Sequence, residues 1–95
     1  MTTIVKTVNK TDLEEFKFYK SDVLFNKMEK NKRKRLLEHA YKKSNEIQAQ
    51  KARIIFACSE GVKKIEARIT ALNQSTIKLN GCTLPVKSVI GVDVV

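Results

Sequence analysis

The sequence predicts an α+β domain in which N-terminal helices precede five antiparallel strands that form a small barrel or a curled meander. The first 50 residues contain no glycine or proline, whereas all three glycines and the one proline lie after residue 60. From residue 51 the apolar residues recur at every second position, which is typical of half-buried strands. With 95 residues, the chain is predicted to form one domain, 1–95, with a basic helical part, 1–50, and a β-barrel part, 51–95.

Helices are predicted from caps and apolar spacing. Thr11-Asp12-Leu13-Glu14 fits a capping box, which predicts a helix start. The apolar residues that follow reach Met28, and Asp22 is a candidate N-cap for a second helix, so one helix or two are compatible with this stretch. A later helix is predicted over residues 32–49. Its apolar face comprises Leu36, Leu37, Ala40, Tyr41 and Ile47. Residues 1–8 are compatible with a short strand or a disordered arm.

Five strands are predicted in the second half, and the clearest is 62–72. In that strand Ile65, Ala67, Ile69 and Ala71 alternate with Lys64, Glu66, Arg68 and Thr70. The other strands are predicted at residues 53–58, 76–79, 82–86 and 90–94. Ser59-Glu60-Gly61, Asn80-Gly81 and Lys87-Ser88-Val89 are the predicted turns. Pro85 indicates an edge strand, because proline cannot donate to a neighbouring strand.

The order of these strands resembles the Sm-like and other SH3-like small β-barrels. The segments that carry the resemblance are Ile54–Cys58, Ile65–Leu72, Ile77–Leu79, Cys82–Val86 and a last strand after one tight turn. The ending 76–90 is also similar to the endings of many short, uncharacterised bacterial proteins. The resemblance covers residues 51–95, and it implies an SH3-like fold of a kind that often binds RNA or protein. The chain has Ala67 and Ala71 where Sm proteins have a glycine, and it lacks their Asn- or His-bearing RNA-binding loop near the end, so the resemblance implies no particular binding residue.

The charge pattern predicts an acidic partner. The net charge is +9, and the densest basic segment, 27–43, has eight basic and two acidic residues. If Asn31 caps the later helix, the basic run 32–35 occupies its first turn, where a bound phosphate would relieve repulsion by the helix dipole. One continuous helix would remove that argument.

Nucleic acid, either RNA or DNA, is the predicted partner, and the contacts are predicted to be with phosphates. The basic helix and the outward face of the adjoining sheet form one predicted stripe. Its residues are Lys27, Lys30, Lys32, Arg33, Lys34, Arg35, Lys42, Lys43, Lys64, Arg68 and Lys78.

Two other interpretations of the same residues remain open. The basic run is also typical of a solvated helix face that keeps a small protein soluble. The apolar residues near it favour a protein-interaction or self-assembly module, in which the helix or an open barrel edge binds a protein partner or a second copy. These residues are Leu24, Phe25, Met28, Leu36 and Leu37.

The sequence predicts no catalytic residue, metal site or cofactor. His39 is the one histidine and is expected to be an ordinary surface residue; Cys58 and Cys82 are expected to be reduced core residues. Together they are fewer than the four ligands of a structural zinc site. No apolar run is long enough for a membrane span or a secretory signal. The sequence therefore predicts a non-enzymatic, cytoplasmic binding protein with no membrane partner.

Overall fold

A computed structural model describes residues 5–95, except for the side chains of residues 10 and 11. Within this part of the chain there is one α-helix, α1 (Lys27–Ser44), and there are seven strands in two sheets. The strands are β1 (Lys6–Thr7), β2 (Ala52–Cys58), β3 (Gly61–Ala67), β4 (Ala71–Leu72), β5 (Thr76–Lys78), β6 (Thr83–Pro85) and β7 (Val89–Val94). The predicted α+β class is confirmed. The strands do not close into the predicted barrel, because they form two separate sheets of four and three strands instead of one set of five.

The larger sheet has the order β1-β3-β2-β7 and supplies much of the core. In β2, the alternate residues Ala52, Ile54, Phe56 and Cys58 are buried. β2 pairs antiparallel with both β3 and β7, but β1 pairs parallel with β3. The sheet is therefore mixed rather than antiparallel. Residues 6–7 form a strand, which is one of the two alternatives that the sequence predicts for the N-terminal segment. Residues 1–4 lie outside the described part of the chain.

The smaller sheet is a β4-β5-β6 meander, and the turn between β5 and β6 agrees with the prediction. Asn80 and Gly81 have φ angles of 52° and 99°, the left-handed conformation that this dipeptide favours in hairpins. Pro85 lies on β6 at the edge of the sheet, so the predicted edge position is confirmed. A short 3₁₀ turn, Val86–Ser88, connects β6 to β7 one residue earlier than the predicted tight turn.

The predicted strand 62–72 is interrupted, and this interruption separates the two sheets. The N–H of Ile69 donates to the Ser44 hydroxyl at 3.1 Å instead of to a neighbouring strand. The N–H of Thr70 donates to the carbonyl of Lys78 in the smaller sheet at 2.8 Å. The side-chain alternation still holds, since Ile65, Ala67 and Ile69 are buried. The hydrogen bond from Ile69 to the end of α1 therefore takes the place of one strand-to-strand hydrogen bond.

The chain before α1 is not the predicted α-helix. Lys10–Glu15 forms a 3₁₀ helix, and the N–H of Asn9 donates to the Asp12 carboxylate at 3.2 Å. The N-cap of this 3₁₀ helix, Asn9, therefore lies two residues before Thr11, the first residue of the predicted capping box. The side chain of Thr11 is outside the described residues. Leu13 in this segment is buried in the core.

Phe16 and Phe18 explain why no α-helix continues from there. Both rings contact Phe56, with centroids 6.3 and 6.0 Å apart, while the intervening Lys17 is exposed. Two residues that are two positions apart point to the same side only in extended chain. The backbone carbonyl of Lys17 also accepts a hydrogen bond from the N–H of Ser59 at 2.9 Å. These contacts hold the segment against the sheet in an extended form.

The helix α1 begins earlier than predicted and has a different cap. The Asn26 side chain accepts a hydrogen bond from the N–H of Met28 at 2.7 Å, so the predicted caps at Asp22 and Asn31 are wrong. Its buried residues Arg33, Leu37, Ala40 and Ser44 form one stripe, and α1 packs mainly against β7. The helix ends at Ser44, and Ile47, a predicted face residue, is fully exposed beyond it. No helix among the described residues is long and apolar enough to cross a membrane.

Candidate functional site

The basic run does not occupy the first turn of α1. Because Asn26 is the cap, the run 32–35 begins in the second turn, where repulsion by the helix dipole has fallen off. The first turn instead carries Glu29, which complements the dipole. The dipole argument for a phosphate at this run is therefore wrong, and any binding must depend on the side-chain charges themselves.

The eight predicted cations of α1 point in several directions, since successive residues are about 100° apart around a helix. Lys30 and Lys34 lie one turn apart on the flank that faces the β4–β5 turn. Lys32 and Lys43 lie on the opposite flank. Lys27 lies on the same flank as Lys34, and the outermost cations, which are exposed, are Arg35 and Lys42.

Arg33 is the exception, because it is buried and has an acidic partner. Its two terminal nitrogens donate to the two carboxylate oxygens of Asp22 at 2.8 and 2.7 Å, and one of them also donates to the carbonyl of Val89 at 3.2 Å. The side chain is 7% exposed. Arg33 therefore connects α1, the preceding segment and β7. Because its guanidinium is engaged in these contacts, it is not available to a phosphate, contrary to its predicted role.

Asp22 is adapted to this pairing. The hydrogen bond from Arg33 lowers the pKa of the Asp22 carboxyl, against the opposing effect of its burial. The same carboxylate also accepts the N–H of Leu24 at 2.9 Å, which forms a local turn. The predicted N-cap residue is thus the counter-ion of the predicted phosphate ligand.

Six of the eight α1 cations lack an ion pair among the described residues. Arg33 pairs with Asp22, and Lys43 lies 3.5 Å from Glu46. The six without such a partner are Lys27, Lys30, Lys32, Lys34, Arg35 and Lys42. Glu29 and Glu38 are the acidic residues of the helix, so this surface carries an excess of positive charge.

A groove of about 540 Å³ lies between α1 and the turn that joins β4 to β5. Its less exposed lining residues are mainly apolar: Leu37, Tyr41, Leu72 and Val86. Its polar lining includes Lys30, Lys34, Asn31, Glu38, Asn73 and Gln74. Lys30, Lys34 and the buried Arg33, which also lines the groove, belong to the predicted site. The helical spacing of Lys30, Lys34 and Tyr41 indicates one flank of the helix in the sequence, but no local signal brings Asn73 and Gln74 to it.

The three predicted cations of the β part are divided between the two sheets and the segment that joins them. Lys64 is half-buried in the larger sheet, whereas Lys78 is exposed in the smaller one. Arg68 lies between the sheets and donates to the backbone carbonyl of Ser44 at 3.3 Å. Cations stabilise the C-terminal end of a helix, so this contact is structural. The long strand that would have carried the expected stripe is split between the two sheets, and the stripe stays a prediction.

Within residues 5–95, the histidine and the two cysteines do not form a common site. His39 lies on the exposed side of α1. Cys58 is buried, and its thiol donates to the carbonyl of Gly61 at 3.4 Å; burial raises the pKa of this thiol, which makes it a poor nucleophile. Neither cysteine is in a disulfide bond. Among the described residues, no cluster of three or more His, Cys, Asp or Glu side chains has the geometry to hold a metal ion.

Two apolar side chains are unusually exposed near the start of α1. Phe25 is 93% exposed and Met28 is 78% exposed. The other apolar residues that predicted a protein interface are covered to a larger extent: Leu24 and Leu36 are half-buried, and Leu37 is buried. Among the five apolar residues that predicted a protein interface, only Phe25, just before the cap, and Met28, in the first turn, are therefore largely exposed.

No family model, curated protein or solved structure matches the chain. The function is therefore argued from the chemistry of the surface itself.

Proposed function

We propose that the protein is a non-enzymatic binding module that contacts nucleic-acid phosphates through the six unpaired cations of α1. The observation that carries this proposal is the lack of ion pairs: every long basic side chain of α1 except Arg33 and Lys43 is without one in the described part of the chain. Charges that stabilise a fold are paired or capping, as Arg33 and Arg68 are. The remaining six make no such contact, although the charge of Lys30 contributes to lowering the pKa of Asp22.

This arrangement favours contacts with the phosphate backbone rather than with bases. Five of the six residues are lysines, which are compact point charges on flexible stems. They lie on different sides of α1, so they suit a flexible or curved chain of phosphates better than one fixed anion. Binding through phosphates is weakly sequence-specific and strongly dependent on salt, since each contact releases counterions.

The test is fluorescence anisotropy with labelled RNA and DNA across a series of salt concentrations. The triple variant Lys27→Gln, Lys34→Gln, Arg35→Gln changes three exposed helix residues. It should weaken binding to all sequences about equally and reduce the slope of log K against log salt by roughly 2 to 3. A matched control removes the same charge from exposed residues elsewhere: Lys17→Gln, Lys51→Gln, Lys87→Gln.

Two results would contradict the proposal. The first is the absence of binding at about 50 mM salt, where phosphate contacts are strong. The second is an equal loss of affinity in the helix variant and the control, because this would show that total charge, and not α1, determines the interaction.

A second function is favoured by a separate observation, the exposure of Phe25 and Met28. Two adjacent exposed apolar side chains are typical of a contact with another protein chain. We propose self-assembly or binding of a protein partner through this patch as the alternative. Sedimentation at several concentrations tests self-assembly: concentration-dependent dimers that disappear in Phe25→Ser, Met28→Gln, but persist in the control Ile47→Ser, would support it. A strict monomer would contradict self-assembly.

A further inference from the structure

The groove beside α1 combines two kinds of surface that phosphate binding alone does not require. Lys30 and Lys34 are one helical turn apart, which places their Cβ atoms about 6 Å from each other. Next to them lie the half-buried side chains of Tyr41, Leu72 and Val86. A cationic edge above an apolar interior suits a ligand that is anionic at one end and flat and apolar at the other.

The polar groups of the β4–β5 turn add hydrogen-bonding capacity. The Asn73 side-chain oxygen already accepts the N–H groups of Ser75 and Thr76, each at 2.8 Å, so its orientation is fixed and its amide N–H₂ is left to donate. Gln74 is exposed at the groove and offers both a donor and an acceptor. Side-chain amides are the groups that pair with the edges of nucleobases.

The size of the groove is also appropriate. Its volume of about 540 Å³ falls within the range of about 300–1,000 Å³ that is usual for small-molecule sites. A base that remains stacked in a duplex has no apolar face to insert, whereas an unstacked base has two.

We infer that this groove binds one unstacked nucleotide of a single-stranded nucleic acid, with its base against Tyr41, Leu72 and Val86 and its neighbouring phosphates on Lys30 and Lys34. The inference rests on the proposed function and deepens it, because it specifies single strands over duplexes. The base is held by apolar contact and by the amides of the β4–β5 turn, and the strand continues along the outer cations of α1.

The experiment compares three labelled DNA probes of equal length by anisotropy at one salt concentration: an oligothymidylate, a duplex, and a strand in which abasic sites replace the bases. If phosphates alone set the affinity, the duplex should bind at least as tightly as the single strand, since its charge density is higher. We expect the oligothymidylate to bind at least threefold more tightly than the duplex and at least tenfold more tightly than the abasic strand.

Two variants locate the effect. Tyr41→Leu should remove most of the difference between the oligothymidylate and the abasic strand while leaving the affinity for the abasic strand unchanged. Because Tyr41 also packs against the core, Gln74→Glu provides a second variant on an exposed side chain. It should weaken single-strand binding several-fold, whereas the same change in the control Gln48→Glu, which is exposed and does not line the groove, should have a smaller effect.

The outcomes distinguish this inference from the proposed function. Equal binding of the base-containing and abasic strands, or a duplex that binds most tightly, would overturn the groove assignment and leave phosphate binding by α1 intact. Equal effects of Gln74→Glu and Gln48→Glu would also overturn it. The absence of binding to all three probes at low salt would overturn the proposed function as well.

Discussion

Arg33 and Asp22 form a bidentate ion pair that joins α1 to the irregular segment before it, with nitrogen–oxygen distances of 2.8 and 2.7 Å. The side chains are 7% and 17% exposed. Because the guanidinium also donates to the carbonyl of Val89, this pair connects three parts of the chain that are distant in sequence. One member of the basic run thus belongs to the interior of the protein, whereas its neighbours belong to the surface.

Breaking this pair should be costly. Asp22→Asn retains an oxygen for the N–H of Leu24 but leaves the buried guanidinium of Arg33 without a counter-ion, so we expect the free energy of unfolding to fall by about 3 kcal/mol. Arg33→Met keeps the packing of the side-chain stem and should have a similar effect. The double variant should cost at least about 1 kcal/mol less than the sum of the two, because it removes both charges together. Urea denaturation measures the three values; simple additivity would show that the two residues do not act as a unit.

The ion pair of Arg33 and Asp22 also makes the free energy of unfolding depend on pH. The Arg33 hydrogen bond lowers the pKa of Asp22 in the folded protein, while the unfolded chain has the ordinary value of about 3.9. The stabilisation is therefore complete above about pH 4 and is lost as the pH falls toward the lower folded pKa. The advantage of the wild type over Asp22→Asn should shrink below pH 4. Ser59 lowers the pKa of the exposed Glu60 carboxyl in the same direction, but Glu60 is common to both proteins and cancels in the comparison. A constant difference between the two proteins down to pH 2 would contradict this assignment.

The basic run provides a direct test of which charges are structural. Replacing Lys32, Lys34 and Arg35 by Gln changes three exposed residues of α1 and should leave the melting temperature nearly unchanged. Adding Arg33→Gln should lower it by about 10 °C or more, since about 3 kcal/mol corresponds to a shift of that size in a domain of this length. Similar melting temperatures for the triple and quadruple variants, measured by circular dichroism, would contradict a structural role for Arg33.

Much of the β part could be predicted from the sequence because its signals are local. The alternation of Ile65, Ala67 and Ile69 and the turn at Asn80-Gly81 depend on neighbouring residues, and both agree with the structure. The errors arose where distant residues determine the outcome. In the sequence, Phe16 and Phe18 fit the apolar stripe of a helix. In the structure both rings contact Phe56, which requires an extended chain.

The candidate site was predictable to a smaller extent for the same reason. The density of charge on residues 27–43 is a property of the sequence, but the pairing of Arg33 with Asp22 spans 11 positions and has no signature in either segment. The groove needs α1 and the β4–β5 turn to be adjacent, which depends on the whole topology. The composition therefore indicates which helix carries the charges. It does not indicate which of these charged side chains are available to a ligand.

The cations of the β part should contribute less to binding than those of α1. Lys64 and Lys78 lie in different sheets, and Arg68 is engaged at the carbonyl of Ser44. We expect Lys64→Gln, Arg68→Gln, Lys78→Gln to lower the affinity for RNA or DNA less than Lys27→Gln, Lys34→Gln, Arg35→Gln does, although both variants lose three charges. Anisotropy at equal salt measures the difference. A larger loss in the β-part variant would move the interface from the helix to the sheets.

Glu38 is the one carboxylate among the residues that line the groove with Lys30 and Lys34, and it should repel a phosphate held there. At about 7 Å in water this repulsion amounts to roughly 0.6 kcal/mol, so Glu38→Gln should tighten single-strand binding about threefold at low salt. Glu29→Gln is the matched control, because it makes the same change on the same helix but on a flank away from the groove. Its effect should be smaller, and the advantage of Glu38→Gln should decline as salt shortens the range of the interaction. If the two variants tighten binding equally, the phosphates do not lie at the groove and the outer face of α1 is the whole interface.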